Sequence, residues 1–273
     1  MNPRELTVTE HLVELRKRLL ICAVFFVIAL IVGFYLAEPI IKYIQYSKEA
    51  EQLTLNAFKV TDPLVVYLQV TVIIAFVLSS PLLLHQIWLF ITPGLHETER
   101  KATLKYIPYS FILFIAGASF SYYVLFPYVM HFMMGLSADL EIQQTIGINE
   151  YFSFLFRLVM PFGIVFQLPV VTLFLARLGI LNPELMVKFR KYAYFVLVVI
   201  AVFLAPPDFI SNVIVAIPLF VIYEISIIIA RRGYRKFLQA EAMQLEEERI
   251  AAEREQVERL LAEQKRQIEE MND

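Results

Sequence analysis

The chain has 273 residues, of which 59 % are hydrophobic and 18 % charged, and its net charge is -2; an average soluble domain has about 45–50 % and about 25 %. One core of this size cannot hide that much apolar surface, which excludes an ordinary soluble globule and a disordered chain. The lack of a dominant basic stripe speaks against nucleic-acid binding, and the single cysteine, Cys22, excludes a disulfide framework or a cysteine metal cluster. What is left is an all-α, multi-pass membrane protein.

In chain order, the charge-free run Leu19–Ala37 is the first stretch long enough to cross roughly 30 Å of hydrocarbon. No small-x-small cleavage site follows it, so it is expected to remain as an anchor. Before it lies Glu10-His11-Leu12-Val13-Glu14-Leu15-Arg16-Lys17-Arg18, in which Glu10 and Glu14, and Glu14 and Arg18, are four apart. A helix here would lie on the inner surface with Leu12, Leu15 and Leu19 against apolar material, and its plainest charge contact is a Glu14–Arg18 pair.

The second and third crossings lie inside the uncharged runs 63–95 and 106–138, with Pro81, Pro108 and Pro127 at bends or ends. Between them, Pro93-Gly94 closes the second span, and Glu97, Glu99 and Arg100 open the next helical stretch, where acids favour a helix N-terminus. His96 and Glu97 lack the second histidine of a zinc helix, and no metal or cofactor is expected. The fourth crossing is read as Leu158–Ala176, bracketed by Arg157 and Arg177, with Arg157 snorkelling near the outer end and Gln167 polar at mid-depth. Tyr192–Pro206 is the fifth and rises only about 22 Å; Pro206-Pro207-Asp208 turns the chain into a sixth crossing, Phe209–Ala230, interrupted by Glu224. An intramembrane carboxylate is a functional candidate by default; its ordinary reading is snorkelling or pairing near the inner interface, with Arg231 or Arg232 about two turns away.

With the N-terminus inside, Arg16, Lys17 and Arg18, then Arg100, Lys101 and Lys105, then Arg177, Lys188, Arg190 and Lys191, then Arg231, Arg232, Arg235 and Lys236 all fall on the inner side. That asymmetry orients six spans with both termini cytoplasmic. The expected division is therefore an amphipathic segment 1–18, a membrane domain 19–230 and a charged tail 231–273. From residue 237 onward the tail carries 11 acids and 5 bases and no glycine or proline. Met243, Ile250, Val257, Gln264 and Met271 recur every seven residues, but the companion position is occupied by Glu247 and Arg254, so a solvated single helix or a frayed tail is preferred to a coiled coil.

There is no phosphate loop and no nucleophile–base pair, so no enzyme is indicated. Carboxylates on an inner face suit a cationic ligand, and a guanidinium binds carboxylate bidentately. The residues alone leave open a peptide receptor and a multi-pass small-cation transporter or channel.

Five segments in order resemble the TatC family, the multi-spanning subunit of the twin-arginine translocase. They are His11-Leu-x-Glu-Leu-Arg-Lys-Arg18; Ser80-Pro-x-x-x-x-Gln-x-Trp-x-Phe90 leading to Pro93-x-Leu-x-x-x-Glu-Arg100; Phe120-x-Tyr-x-x-x-Phe-Pro127; Ala205-Pro-Pro-Asp208; and Ala216-Ile-Pro-Leu-x-x-x-Tyr-Glu-Ile225. The resemblance implies a concave, glove-like bundle with short fifth and sixth helices. It also implies a prokaryotic cell-membrane protein that binds the paired arginines of signal peptides on folded cargo. Partners would be single-span TatA-type and TatB-type proteins, the bilayer, and further copies of the chain in a larger complex. Export would be driven by the proton motive force. Glu14 and Glu99 match the twin-arginine positions, with Arg16, Phe90, Leu95 and Arg100 beside them. Tyr122 and Asp208 match outer-side positions, and Gln167 stands where many relatives carry glutamate. Gln167, Tyr122, Asp208 and Glu224 are thus candidates for partner contact or structural support.

Overall fold

A computed structural model describes residues 8–47, 54–91, 106–206 and 208–272. The elements are α1 (Val8–Gln45), β1 (Leu55–Asn56), α2 (Asp62–Ile91), α3 (Tyr106–Phe120), a π-helical turn (Ser121–Leu125), α4 (Phe126–Asp139), β2 (Ile146–Gly147), α5 (Ile148–Val165), α6 (Leu168–Arg177), α7 (Pro183–Lys188), α8 (Arg190–Leu204) and α9 (Phe209–Asn272). The fold is helical apart from β1 and β2, which pair in parallel, Leu55 opposite Ile146 and Asn56 opposite Gly147. That pairing ties the segment before α2 to the start of α5.

Among the described residues, five helical stretches are long and apolar enough to cross a membrane: Leu12–Gln45, Asp62–Ile87, Pro108–Asp139, Ile148–Arg177 and Phe209–Ala262. The expected fifth crossing is α8, whose 15 residues fall short of that length. The fourth expected crossing, Leu158–Ala176, lies within the helical stretch Ile148–Arg177, which begins ten residues earlier, so Arg157 stands within a helical stretch and not at its start. The sixth is not short: α9 runs 64 residues without interruption from the membrane-length stretch into the charged tail. Likewise α1 continues unbroken through residue 18, so no separate surface helix precedes the first span, and Leu12, Leu15 and Leu19 are covered by no other described element.

The packing follows from side-chain size. α1 buries Cys22, Ala29, Gly33, Ala37 and Ile44, a mostly small-residue seam, against α2. A Cβ on Gly33 would lie 2.6 Å from the Thr71 carbonyl oxygen, so only glycine allows the two backbones this close. The large side chains of α1, Val24, Ile28 and Ile31 among them, point away from the protein, as an apolar solvent permits. α5 is the hub. Its residues Tyr151, Phe152, Leu155, Leu158 and Phe162 lie on one side of the helix and are fully buried, and the helix packs on α3, α2, the π-helical turn and α4. Burying an aromatic or leucine side chain is worth about 1.5–3 kcal/mol where the alternative is water.

Prolines place the irregularities. Pro169 has no N–H for the Val165 carbonyl, and the helix breaks at Phe166–Gln167 between α5 and α6. Pro127 likewise has no N–H to offer at the four-residue spacing. The chain widens there, with Phe126 N–H donating to the Ser121 carbonyl five residues back.

Candidate functional site

The N-terminal turns of α1 meet the C-terminal turns of α2. Glu14 accepts from Arg18 one turn later, through Nε at 3.1 Å and through Nη2, both bonds ending on the same oxygen, Oε1. Oε2 carries no hydrogen bond among the described residues. The pair is sheltered, with 17 % of the Arg18 and 27 % of the Glu14 side chain exposed. Arg18 Nη1 also reaches Gln86 Oε1 of α2 at 3.4 Å, a long hydrogen bond. Two of the sequence segments quoted above are thereby linked in space. Among the described residues Glu14 thus keeps one oxygen able to accept from a second guanidinium. Arg16, two positions on, is exposed and lies on the other flank of the helix. The backbone of Phe90 is in the last turn of α2, one turn beyond Gln86. Glu99, Leu95 and Arg100 lie outside the described residues.

The other candidates are structural in their visible contacts. Gln167, buried at the α5–α6 break, accepts from the Ser110 hydroxyl and donates from Nε2 to the Ser110 carbonyl at 2.9 Å. It ties α3 to the break and is the interhelical hydrogen bond that a mid-depth amide calls for. Asp208 caps α9, its Oδ1 accepting the Ser211 N–H at 2.7 Å. Tyr122 sits in the π-helical turn, edge-on to Tyr123 with ring centroids 4.7 Å apart. Glu224 pairs with neither Arg231 nor Arg232. Its carboxylate meets Arg190 of α8 at 2.9 Å and accepts from the Tyr194 hydroxyl, clamping the short helix to α9. Arg190 lies 34 residues away in sequence, so spacing along one helix could not have found it.

Sequence reasoning passed over three groups. Gln86 stood inside a quoted motif and was given no role. Gln69 of α2 hydrogen-bonds Ser153 at 3.2 Å and Asn149 at 3.4 Å on α5. Thr172 of α6 donates to the Ser226 carbonyl of α9 at 3.3 Å, where those two helices pack closely. Polar residues four or seven apart in apolar runs were the available signal.

A bundle of membrane-length apolar helices, joined by small-residue seams and a few interhelical polar contacts, defines a multi-pass membrane protein. Comparison with known proteins narrows the class. The family model described as Sec-independent protein translocase protein (TatC) matches residues 10–218. The chain is 54 % identical over 242 residues to the Sec-independent protein translocase protein TatCy of Bacillus subtilis (strain 168), covering 89 % of this chain and 95 % of that one. It is 52 % identical over 249 residues to a TatC of Halalkalibacterium halodurans, covering 91 % and 98 %. Among solved structures it is similar to one titled Crystal Structure of Twin Arginine Translocase Receptor- TatC, with TM-score 0.73 and 34 % identity, covering 82 % of this chain and 99 % of that one. The chain belongs to the TatC family: it is a protein-transport component of the bacterial twin-arginine translocase and not an enzyme.

Proposed function

We propose that this chain is the signal-peptide receptor of its translocase, set in the cell membrane as a concave bundle of six crossings with both termini cytoplasmic. Glu14 and Glu99 receive the two arginines of the signal peptide. Arg16, Phe90, Leu95 and Arg100 flank them, and the peptide's apolar stretch lies along exposed helix surface nearby. Single-span TatA-type partners, with TatB-type partners or further copies of the chain, then assemble around the loaded receptor and cargo crosses on the proton motive force. Gln167, Tyr122, Asp208 and Glu224 hold the scaffold or meet those partners, and residues 231–273 extend into the cytoplasm.

The observation that carries this reading is the state of Glu14. It is sheltered at the meeting of α1 and α2, its Oε1 is held by Arg18, and its Oε2 accepts no hydrogen bond among the described residues. The remaining oxygen can accept charge-assisted N–H bonds from a second guanidinium, whose planar fork fixes their direction as an ammonium does not. The similarity to a solved structure titled a twin-arginine translocase receptor supports the same reading.

The test places a photo-crosslinker at Leu95 in membranes and compares a twin-arginine signal peptide with its twin-lysine form. Crosslinking to the arginine form alone is the expected result. Equal crosslinking to both forms, in correctly inserted protein, rejects the receptor assignment.

A further inference from the structure

The Glu14 carboxylate already holds a guanidinium, and it is the chain's own. Arg18 donates to Glu14 Oε1 through both Nε and Nη2, while its Nη1 donates to the Gln86 side-chain oxygen of α2 at 3.4 Å. One guanidinium is thus divided between a carboxylate on its own helix and an amide on the neighbouring helix. The seam that sets this arrangement is regular. α1 and α2 pack closely, Gly33 against the Thr71 carbonyl and Arg18 against Gln86. Those two contacts are the same interval apart on both helices and run in opposite directions along them, so the antiparallel register holds from one to the other.

A pair four residues apart on one helix is a weak bond, so Arg18 holds Glu14 by proximity more than by strength. Tethered one turn away, it is present at a high local concentration whatever else is in solution. A guanidinium arriving from outside must share the carboxylate with Arg18 or move it, and two cations beside one carboxylate repel each other. The Gln86 oxygen gives Arg18 a second place. Its present bond to Nη1 is long, and rotation of the flexible arginine side chain away from Oε1 brings it toward the ordinary length of about 2.9 Å. Only 17 % of the Arg18 side chain is exposed, so a displaced guanidinium has little water to replace the carboxylate and needs an acceptor from the protein.

We propose that Arg18 and Gln86 are positioning residues for signal-peptide binding: Arg18 is a resident guanidinium that holds Glu14 until a peptide arginine displaces it, and Gln86 is the acceptor that takes Arg18 when it moves. The exchange replaces one guanidinium on the carboxylate by another, and the displaced one stays hydrogen-bonded. Arg18 therefore limits the affinity of the site, and its return to Glu14 expels the peptide. This rests on the assignment of Glu14 to a peptide arginine and adds how that carboxylate is filled between peptides.

The experiment titrates a synthetic twin-arginine signal peptide into the full chain in nanodiscs. Arg18→Gln removes the competing cation and should raise the affinity about fivefold, with slower dissociation. Gln86→Leu keeps the size and the helix propensity but leaves a displaced Arg18 without an acceptor, and should lower the affinity about threefold. The double variant should bind as Arg18→Gln does, because Gln86 acts only through Arg18. A merely structural role for the two residues gives the opposite sign for Arg18→Gln, or losses that add in the double variant; either result overturns the proposal. A readout on the unsubstituted chain keeps the test independent of how the variants fold. The Arg18 Nε–H resonance, assigned by its absence in Arg18→Lys, should shift when the twin-arginine peptide is added and stay in place with an equal amount of its twin-lysine form. A resonance that does not move at saturating twin-arginine peptide overturns the exchange. Glu14→Gln in the same titration separates the two readings. Unchanged affinity in Glu14→Gln removes the receptor site and the exchange with it, whereas a loss there beside no gain in Arg18→Gln removes the exchange alone.

Discussion

The bond between Gln167 and Ser110 makes a quantitative prediction about how the broken fourth span is held. Ser110 is 1 % and Gln167 8 % exposed, so neither has solvent as an alternative partner. Gln167 makes two bonds to one residue of α3, accepting from the Ser110 hydroxyl and donating to the Ser110 carbonyl. Ser110→Ala removes the first and spares the second, because the carbonyl belongs to the backbone. Gln167→Leu removes both. Interhelical hydrogen bonds in membrane proteins average about 0.6 kcal/mol, with a ceiling near 1.7. Ser110→Ala should therefore cost about 0.6 kcal/mol and Gln167→Leu about 1.2 kcal/mol. In Gln167→Leu the orphaned hydroxyl can turn back to a carbonyl of its own helix, which keeps that cost from rising further. The double variant should cost no more than Gln167→Leu alone, giving a coupling of about 0.6 kcal/mol, the value of the hydroxyl bond. Equilibrium unfolding of all four proteins in bicelles reads these numbers. Full additivity, or a Gln167→Leu variant as stable as the parent, would refute the claim that this amide ties α3 to the break.

Glu14→Gln removes the charge that receives a guanidinium. Bonds to charged groups are worth about 1.5–3 kcal/mol, so twin-arginine peptide affinity should fall by at least about tenfold, measured by titration in nanodiscs. At the α1–α2 seam, Gly33→Val must push a side chain against the Thr71 carbonyl and should cost about 1–3 kcal/mol. By contrast Gly135→Ala, with nothing within 4 Å of the new Cβ, should gain up to about 1 kcal/mol from helix propensity; melting midpoints in detergent should move in opposite directions. Glu224→Gln loosens the clamp on α8, but both side chains of the pair are more than a third exposed, so the loss should stay near about 1 kcal/mol. Residues 241–262 are exposed along their whole length, so truncation after Phe237 should leave the melting midpoint unchanged; a drop of several degrees would reveal a contact of the tail with the bundle.

Composition and periodicity were enough to establish a helical membrane protein, because a run of apolar residues long enough to cross hydrocarbon is a local property that no tertiary contact can hide. The helical continuity of the charged tail was equally local, resting on a stretch without glycine or proline. Family membership was legible in five short segments, and the wider comparisons agree with it. Boundaries were less legible. The start of the fourth span was read at the last charge, Arg157, yet the helix runs back to Ile148 because β2 and the buried face from Tyr151 to Phe162 hold the earlier turns in place. The apolar run Tyr192–Pro206 reads as a crossing, and whether its 15-residue helix is one depends on how α9 and the Glu224–Arg190 pair seat it.

The partners of polar groups were the part sequence could not supply. Glu14 with Arg18 was foreseeable, since four residues make one turn of helix. Glu224 with Arg190, Gln167 with Ser110, and Gln69 with Ser153 join residues 30 to 90 positions apart. Such pairs are selected only when helices pack, because an apolar medium leaves a polar side chain no partner except another helix. The local chain chose which segments became helices; the packing of those helices decided which carboxylate met which cation and which amide was satisfied.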